Sequence, residues 1–478
     1  MKRLISLLGL LLIFFAGFAQ VTGTMYIGGA TSSFDTLVHR RIGPGMTYTK
    51  VYFNRAGTGG YQMLMNVITM DMTNPYNSHS SYIANDRFYQ SNDQIDEYQR
   101  QISEGKNPVA TMMGGAFVQS NTTNPLYPAW EVSGGMVSDG RLLLNPSGSN
   151  YYVDSDRNAG CGRLSLSVNV ETPNGSFSVT NVNRLRGRNS GVTMFCNNYE
   201  RSRDVNASKG VEILLSLVGS DGIGVNGDYK CKVERVMTGS GHDFNSNQVI
   251  LSAEGDSEKY LDGIKAGDDI TISVSCLGPS GQALDIIQSA TPMTGYAVLG
   301  GRAQANSSTL YPQCAIGVSS SGDVVYWADL EINSRSNAPV SMMNEYLANI
   351  GVWDAVLMDG GPSAEMTVLG EWATENSIGG GFNGRLVPCG LIAYCTSPSD
   401  DTVESVDFKQ IKTEARQGAA ITPELYGFNQ YGELISDDVK GNSDVYLTCD
   451  PSVGVISEDG RSFTPTTGKS GYIYAHSS

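Results

Sequence analysis

The chain has 478 residues, 40% of them hydrophobic, with 56 Gly, 17 Pro, 8 Cys and a formal net charge of −16. That length and apolar content suit two or three domains with buried cores and exclude a largely disordered chain. The negative balance argues against nucleic-acid and anionic-membrane partners, yet leaves room for a phosphorylated substrate met by a local Arg.

Lys2 and Arg3, the apolar run Leu4 to Phe15 and the stretch Ala16-Gly17-Phe18-Ala19 read as a secretory signal over residues 1–19. Its removal takes both cations and leaves a net charge of −18. No Cys follows the cleavage point, so no lipid anchor is expected there, and no later run approaches the roughly 18 apolar residues of a membrane span. The mature protein is expected to be soluble, secreted or periplasmic, with the cell surface as an alternative. Eight Cys in an exported chain permit disulfides, although their wide spacing is unlike a small disulfide scaffold. Connectivity does not follow from the sequence; Cys389 and Cys395, as the ends of one strand, would stand about 20 Å apart, beyond the roughly 7 Å limit of a bridge. His39, His79, His242 and His476 are scattered as surface or structural residues. No Cys or His set has zinc spacing and no calcium-type loop is present, so neither metal nor other cofactor is expected.

Tyr61 to Met72 has the apolar content of a buried strand closed by Asp71-Met72-Thr73-Asn74-Pro75. A helix follows, capped by Ser91, Asn92 or Asp93, with Ile95, Tyr98 and Ile102 on one face and Gly105 at its end. Val109 to Phe117 is a second apolar strand running into Gly114 and Gly115. From about Asn145 to Gln288 the pattern turns to short alternating runs, including Arg163 to Val170, Gly191 to Cys196, Val211 to Val218 and Ile270 to Cys276, which suggests a β-rich insertion. Cys314 to Val318 and Val324 to Ala328 are further strands, and Ser341 to Ile350 is a helix with Met343, Tyr346, Leu347 and Ile350 on its apolar face and Gly351 beyond it. Alternation from Arg385 to Tyr394 supplies another strand. Thr396 to Thr402 reads as a linker, followed by a small sandwich over 402–478 that includes Asp444 to Cys449, Ser462 to Thr464 and Gly471 to Ala475, resembles a bacterial Ig-like domain and lacks a last strand. The expected class is α+β: a mixed-sheet domain over 20–396 with its insertion over about 145–288, then the all-β sandwich.

The block Ala355 to Met366 carries the sharpest functional signal. An apolar strand from Val352 to Leu357 delivers Asp359 into a turn where Gly360 and Gly361 allow close approach of a ligand. Successive N–H groups there would suit a phosphate beside Asp359 or Ser363. The alternative is an ordinary strand-to-loop turn capped by Asp359.

Together with Ile42-Gly43-Pro44-Gly45, Val109 to Phe117, Val249-Ile250-Leu251-Ser252, Ala315-Ile316-Gly317-Val318 and Arg385-Leu386-Val387, this block resembles the phosphodiester glycosidase family across most of residues 30–396. Four motifs depart from the family's usual pattern. Met113 stands where that pattern has Asn, Gln313 where it has Arg, and Pro362 where it has a third Gly; Asp329-Leu330-Glu331 replaces Asp-Gly-Arg. Met offers no N–H, Gln lacks the guanidinium charge and fork, and Pro removes a backbone donor.

The resemblance implies cleavage of a sugar-1-phosphodiester in a glycan. Such chemistry needs a carboxylate beside C1 and a donor cluster on the phosphate. Asp359, Glu365 and Asp329 are the catalytic candidates, with Glu365 facing either the site or solvent. Gly114, Gly115, Gln313, Gly360, Gly361, Ser363 and Arg385 are the binding candidates, and Arg385 is the main remaining cation. Arg184 and Arg302 are weaker alternatives. Ser363 is not expected to act as a nucleophile, since no His is placed to activate it. Trp130 would either stack on a sugar or fill the core. The expected function is an exported phosphodiester glycosidase; the alternative is a non-catalytic carbohydrate-binding or cell-surface protein on the same fold.

Overall fold

The computed structural model describes residues 22–54, 60–118, 130–146, 148–197, 208–290, 295–305, 310–375, 384–410, 413–439 and 444–477. The expected signal over 1–19 lies outside them. The chain is mostly β, and two ten-residue α-helices, α1 (Gln94–Ser103) and α2 (Val340–Asn349), are the α-helices among the described residues. Helices thus contribute less than the expected α+β class implies.

A nine-stranded sheet forms the centre. It runs, in spatial order, through Thr22–Ile27, Ala30–Gly43, Met46–Asn54, Gln62–Asp71, Val324–Glu331, Gln313–Val318, Asp354–Gly360, Tyr296–Leu299 and Arg302–Ala303. Its neighbouring strands are antiparallel throughout. Gln313–Val318 and Asp354–Gly360 are buried on both faces because each face has its own cover. On one face α2 packs Met342, Met343, Tyr346 and Leu347 against Ala315, Ala328, Ala355 and Leu357. The other face packs Cys314, Ile316, Trp327 and Met358 against Met112, Met113, Leu391 and Ala393. Those last residues belong to a five-stranded sheet ordered Glu371–Trp372, Met366–Val368, Pro108–Met113, Cys389–Cys395 and Asn77–Ile83. Each buried aliphatic or Met side chain contributes roughly 1.5–3 kcal/mol.

Helix α1 covers the outer face of the five-stranded sheet in a way that hydrophobic spacing did not foretell. Asp93 caps it by accepting from Asp96 N–H (2.8 Å). Its buried residues are Gln94, Glu97, Tyr98 and Gln101, while the expected face residue Ile102 is 46% exposed. The packing is polar: Thr111 Oγ1 donates to Gln94 Oε1 (2.7 Å), Gln94 Nε2 donates to the Glu365 carbonyl (3.0 Å), and Tyr394 hydroxyl donates to Gln101 Oε1 (2.8 Å). A Gln94→Ala variant leaves the Thr111 hydroxyl without its Gln94 acceptor and the Glu365 carbonyl without its Gln94 donor. It is expected to destabilise the fold by about 1–3 kcal/mol, read as a lower urea midpoint.

The β-rich middle of the chain folds as an eleven-stranded sheet with its own core of Val168, Val192, Ile213, Leu251 and Ile272. It starts at Met136–Ser138 and closes with Ile286–Ala290, so it reaches slightly beyond 145–288 on both sides. One pair in it, Gly175–Val182 with Val192–Phe195, is parallel. The expected strand from Arg385 begins only at Cys389 and is buried throughout, because it is a central strand between Pro108–Met113 and Asn77–Ile83. All eight Cys are free.

Residues 405–477 form one three-stranded and two two-stranded sheets around Leu425, Val439, Val445 and Leu447. This unit is docked on the strand Ala30–Gly43. Arg41 Nε bonds Asp407 Oδ2 (2.7 Å), the Arg41 guanidinium sits 4.0 Å from the Phe428 ring centroid, and Arg40 bonds the Tyr426 hydroxyl. Among the described residues no helix is long and apolar enough to cross a membrane.

Candidate active site

The nine- and five-stranded sheets meet at the end of Asp354–Gly360. Asp359 N–H donates to the Gly114 carbonyl (3.0 Å), which ties the two sheets together, and Met113 N–H donates to the Glu365 carbonyl (3.1 Å), which extends the five-stranded sheet's own ladder up to the acidic cluster. A Cβ on Gly114 would stand 3.1 Å from Gly390 Cα, which is why the strand crossing tolerates so little bulk there. Gly115 supplies a carbonyl that accepts from Cys389 Sγ (3.4 Å).

Asp359, Glu365 and Asp329 are all buried, and their surroundings treat them differently. Burial raises the Asp359 carboxyl above its ordinary range, opposed by hydrogen bonds from Gly360 N–H and the Ser363 hydroxyl and by the charge of Arg385. Glu365 is pushed up to about 8, chiefly by burial; hydrogen bonds from the N–H groups of Arg385 and Gly384 oppose this, and the charges of Asp329 and Asp93 add to it. Gly384 and Arg385 N–H donate to its Oε1 (3.0 and 3.3 Å), while Oε2 is buried without a hydrogen-bond partner among the described residues. Asp329 is raised to about 7 by burial and by Glu331. Its Oδ2 accepts from Thr374 Oγ1 (2.6 Å) and Asn66 Nδ2 (3.1 Å). Asn66 also donates to Glu331 Oε1 (2.7 Å), which pairs with Lys50 Nζ (3.0 Å). A chain of polar groups thus runs from the site through Asn66 to a buried Lys.

Several sequence-derived binding roles look different in this geometry. Gln313, in register with Gly360, turns its amide N–H groups inward to the carbonyls of Met358 (2.7 Å) and Cys314 (3.1 Å), away from a phosphate role. The turn after Asp359 offers no empty row of donors. Gly360 N–H serves Asp359, Gly361 N–H donates to the Pro312 carbonyl (2.9 Å), and Pro362 has none. Ser363 is buried and its hydroxyl serves Asp359. Gly361 has φ +66°, and a Cβ there would lie 2.5 Å from the Tyr311 hydroxyl. Tyr311 was not singled out by the sequence; it lies over both turn glycines, where Cβ atoms would strike it. A Gly361→Ala variant combines a left-handed backbone with that clash, and a loss of about 1–3 kcal/mol in thermal unfolding is expected.

Arg385 lies within electrostatic reach of Asp359, its guanidinium 5.6 Å from the Phe117 ring centroid. Phe117 in turn stacks on Trp130 (5.7 Å, 28°), so Trp130 packs on a protein ring. Arg184 is engaged with the carbonyls of Val132, Ser133 (3.1 Å) and Gly134 (2.7 Å), and Arg302 sits in the outermost strand of the nine-stranded sheet. Thr374, Asn66 and Lys50 carry no motif; Asn66 and Lys50 join the cluster because distant strands pair in register, Asn66 with Asp329 and Lys50 with Asn66. Among the described residues no group of His, Cys, Asp and Glu is arranged to hold a metal ion.

Residues 223–394 match the phosphodiester glycosidase family. That span contains Gln313, Asp329, Asp359, Glu365 and Arg385 but not Gly114 or Gly115. No curated protein sequence matches the chain. A hypothetical protein from Synechocystis superposes with a TM-score of 0.54 at 15% identity, over 73% of this chain and 62% of its own, so this chain spans less than two thirds of that protein's length. A candidate exported protein from Burkholderia pseudomallei K96243 gives a TM-score of 0.58 at 13% identity, over 76% of this chain and 96% of its own. At such identities the likeness is one of fold. The catalytic domain of zebrafish N-acetylglucosamine-1-phosphodiester alpha-N-acetylglucosaminidase, auto-inhibited by its pro-peptide, aligns over 78% of this chain and 90% of its own at 9% identity with a TM-score of 0.36.

Proposed function

We propose, from the phosphodiester glycosidase-family region at residues 223–394, that this chain is an exported hydrolase cleaving the sugar C1–oxygen bond of sugar-1-phosphodiesters in glycans. The observation that carries this reading is the unequal treatment of two neighbouring carboxyls. Glu365, raised to about 8 and with one oxygen unpartnered, keeps its proton at neutral pH. Burial raises the Asp359 carboxyl as well, but there the Gly360 N–H, the Ser363 hydroxyl and the charge of Arg385 all counter the rise and favour the carboxylate. One carboxyl with charged and hydroxyl donors and one with an unpartnered oxygen suit a base and an acid. Asp359 takes the proton of the attacking water or stabilises positive charge at C1. Glu365 donates to the departing phosphate oxygen, and Arg385 faces the phosphate. Asp329 supports the cluster from behind, through Thr374 and Asn66. No cofactor enters this scheme. In the same reading residues 1–19 direct export, residues 20–396 form the hydrolase domain, and residues 402–478 form a separate Ig-like β unit.

The inward turn of Gln313 and the spent donors of the 360–362 turn favour a second reading, a carbohydrate-binding protein whose phosphate site has lapsed. Hydrolysis of an N-acetylglucosamine-1-phosphodiester in heavy-oxygen water separates the two. Label in the free sugar supports C1–oxygen cleavage, and label in the phosphate identifies a phosphodiesterase instead. Binding without turnover across a panel of sugar-1-phosphodiesters sustains the lapsed enzyme.

A further inference from the structure

The C-terminal unit carries a row of aromatic rings that the carboxyl cluster does not use. In the two-stranded sheet Val445–Cys449 with Ile473–Ser477, side chains alternate strictly. Val445, Leu447, Ile473 and Ala475 point into the unit's core. Tyr446 is 44% exposed, Tyr474 41%, and Tyr472, just before the strand, 66%. Tyr446 stands opposite His476 and stacks on it (5.0 Å, 17°), while the Tyr472 and Tyr474 ring centroids lie 6.4 Å apart. Exposing three tyrosines on one sheet face leaves apolar surface in water with no gain to the fold, the pattern of a contact surface.

Beside Tyr446 lies a cavity of about 240 Å³, lined among others by Thr422, Asp459, Arg461 and Ser462. It thus joins an aromatic wall to hydroxyl, carboxylate and guanidinium groups, the mixture that hydrogen-bonds the hydroxyls of a sugar whose C–H face lies on a ring. Aromatic rows also stack nucleic-acid bases, but those sites add a basic groove. Here the chain is at −16, and Asp438 and Asp459 outnumber Arg461 around the cavity, so charge disfavours a polyanion such as a nucleic acid.

We infer that the face formed by Tyr446, Tyr472, Tyr474 and His476, with the adjoining cavity, binds a neutral glycan chain. The site is separate from the Asp359 cluster and does not depend on turnover there.

Affinity electrophoresis of the full chain through native gels carrying dextran, laminarin, hydroxyethyl cellulose or mannan tests this directly. Retardation by at least one of these polymers is expected. It should weaken about tenfold or more in Tyr474→Ala and in Tyr472→Ala, the latter being so exposed that its fold should survive, as an unchanged melting temperature would verify. Asp359→Asn should be retarded like the unsubstituted chain, so failure of the active-site reading and failure of this one are distinguishable. Equal mobility of the unsubstituted and Tyr472→Ala chains in all four gels overturns the inference. So does a concentration-dependent dimer that Tyr474→Ala abolishes, which would assign the face to a second copy of the chain.

Discussion

Turnover of a sugar-1-phosphodiester is expected to fall by about 10²–10⁴-fold when Asp359 becomes Asn, and by a similar factor at neutral pH when Glu365 becomes Gln. The two variants should then part company with pH. The activity of the unsubstituted protein should decline as pH rises through about 8, where Glu365 gives up its proton. Glu365→Gln cannot show that limb, whereas the residual activity of Asp359→Asn keeps it. The same group predicts a stability effect of definite sign. Its pKa in the folded protein lies above the ordinary 4.5, so its contribution to stability is full below about 4.5 and is lost as pH rises through about 8. Above that pH the folded state must hold a buried, poorly paired carboxylate, a penalty of about 1.4 kcal/mol for each pH unit of the shift. Glu365→Gln removes the penalty, so its melting temperature should exceed that of the unsubstituted protein at pH 9 and match it near pH 4. Calorimetry at the two pH values checks this, and parallel profiles would mean that Glu365 is already charged in the folded protein.

Lys50→Met is expected to destabilise the fold by about 3–5 kcal/mol at pH 7. Glu331 is fully buried, and Lys50 Nζ is its cation at 3.0 Å. Asn66 and Asn333 donate to the two Glu331 oxygens (2.7 and 2.9 Å), but amides cannot balance a charge in a dry interior. The Lys50 ammonium also donates to the Ala373 carbonyl (3.0 Å), next to the Thr374 that bonds Asp329. Its loss should therefore loosen the site as well as the core. A chemical-denaturation midpoint measures the first effect. The double variant Lys50→Met/Glu331→Gln should recover most of the loss, and if it does not, the ion pair is not the cause.

The parts of the fold that were legible in the sequence are those where burial is continuous or one-sided. The apolar run before Asp359 read as a strand because both its faces are covered, and α2 read as a helix because Met343, Tyr346 and Leu347 recur on one side. Helix α1 was found and Tyr98 is buried as expected, but Ile102 is exposed and the rest of the buried side is Gln94, Glu97 and Gln101, held through hydrogen bonds of which apolar periodicity carries no sign. The site was legible at Asp359 and Glu365, which share one short segment. Asn66 and Lys50 were not, since nothing near them in sequence marks the strand pairing that sets Asn66 opposite Asp329 and Lys50 opposite Asn66. Direction was the other hidden quantity. Gln313 occupies the expected place, but its amide points to the backbone carbonyls of Met358 and Cys314, and residue type alone does not reveal which way a side chain turns.

The anchoring of the C-terminal unit by Arg40 and Arg41 gives the molecule a fixed reach. A flexible tether lets a bound polymer sample the catalytic groups at an effective concentration that falls gradually with linker length. A unit clamped to the strand Ala30–Gly43 has no such freedom. A glycan whose neutral stretch is seated on the tyrosine row would therefore hold its phosphodiester linkages at a set distance from that row, whichever of them the Asp359 cluster meets.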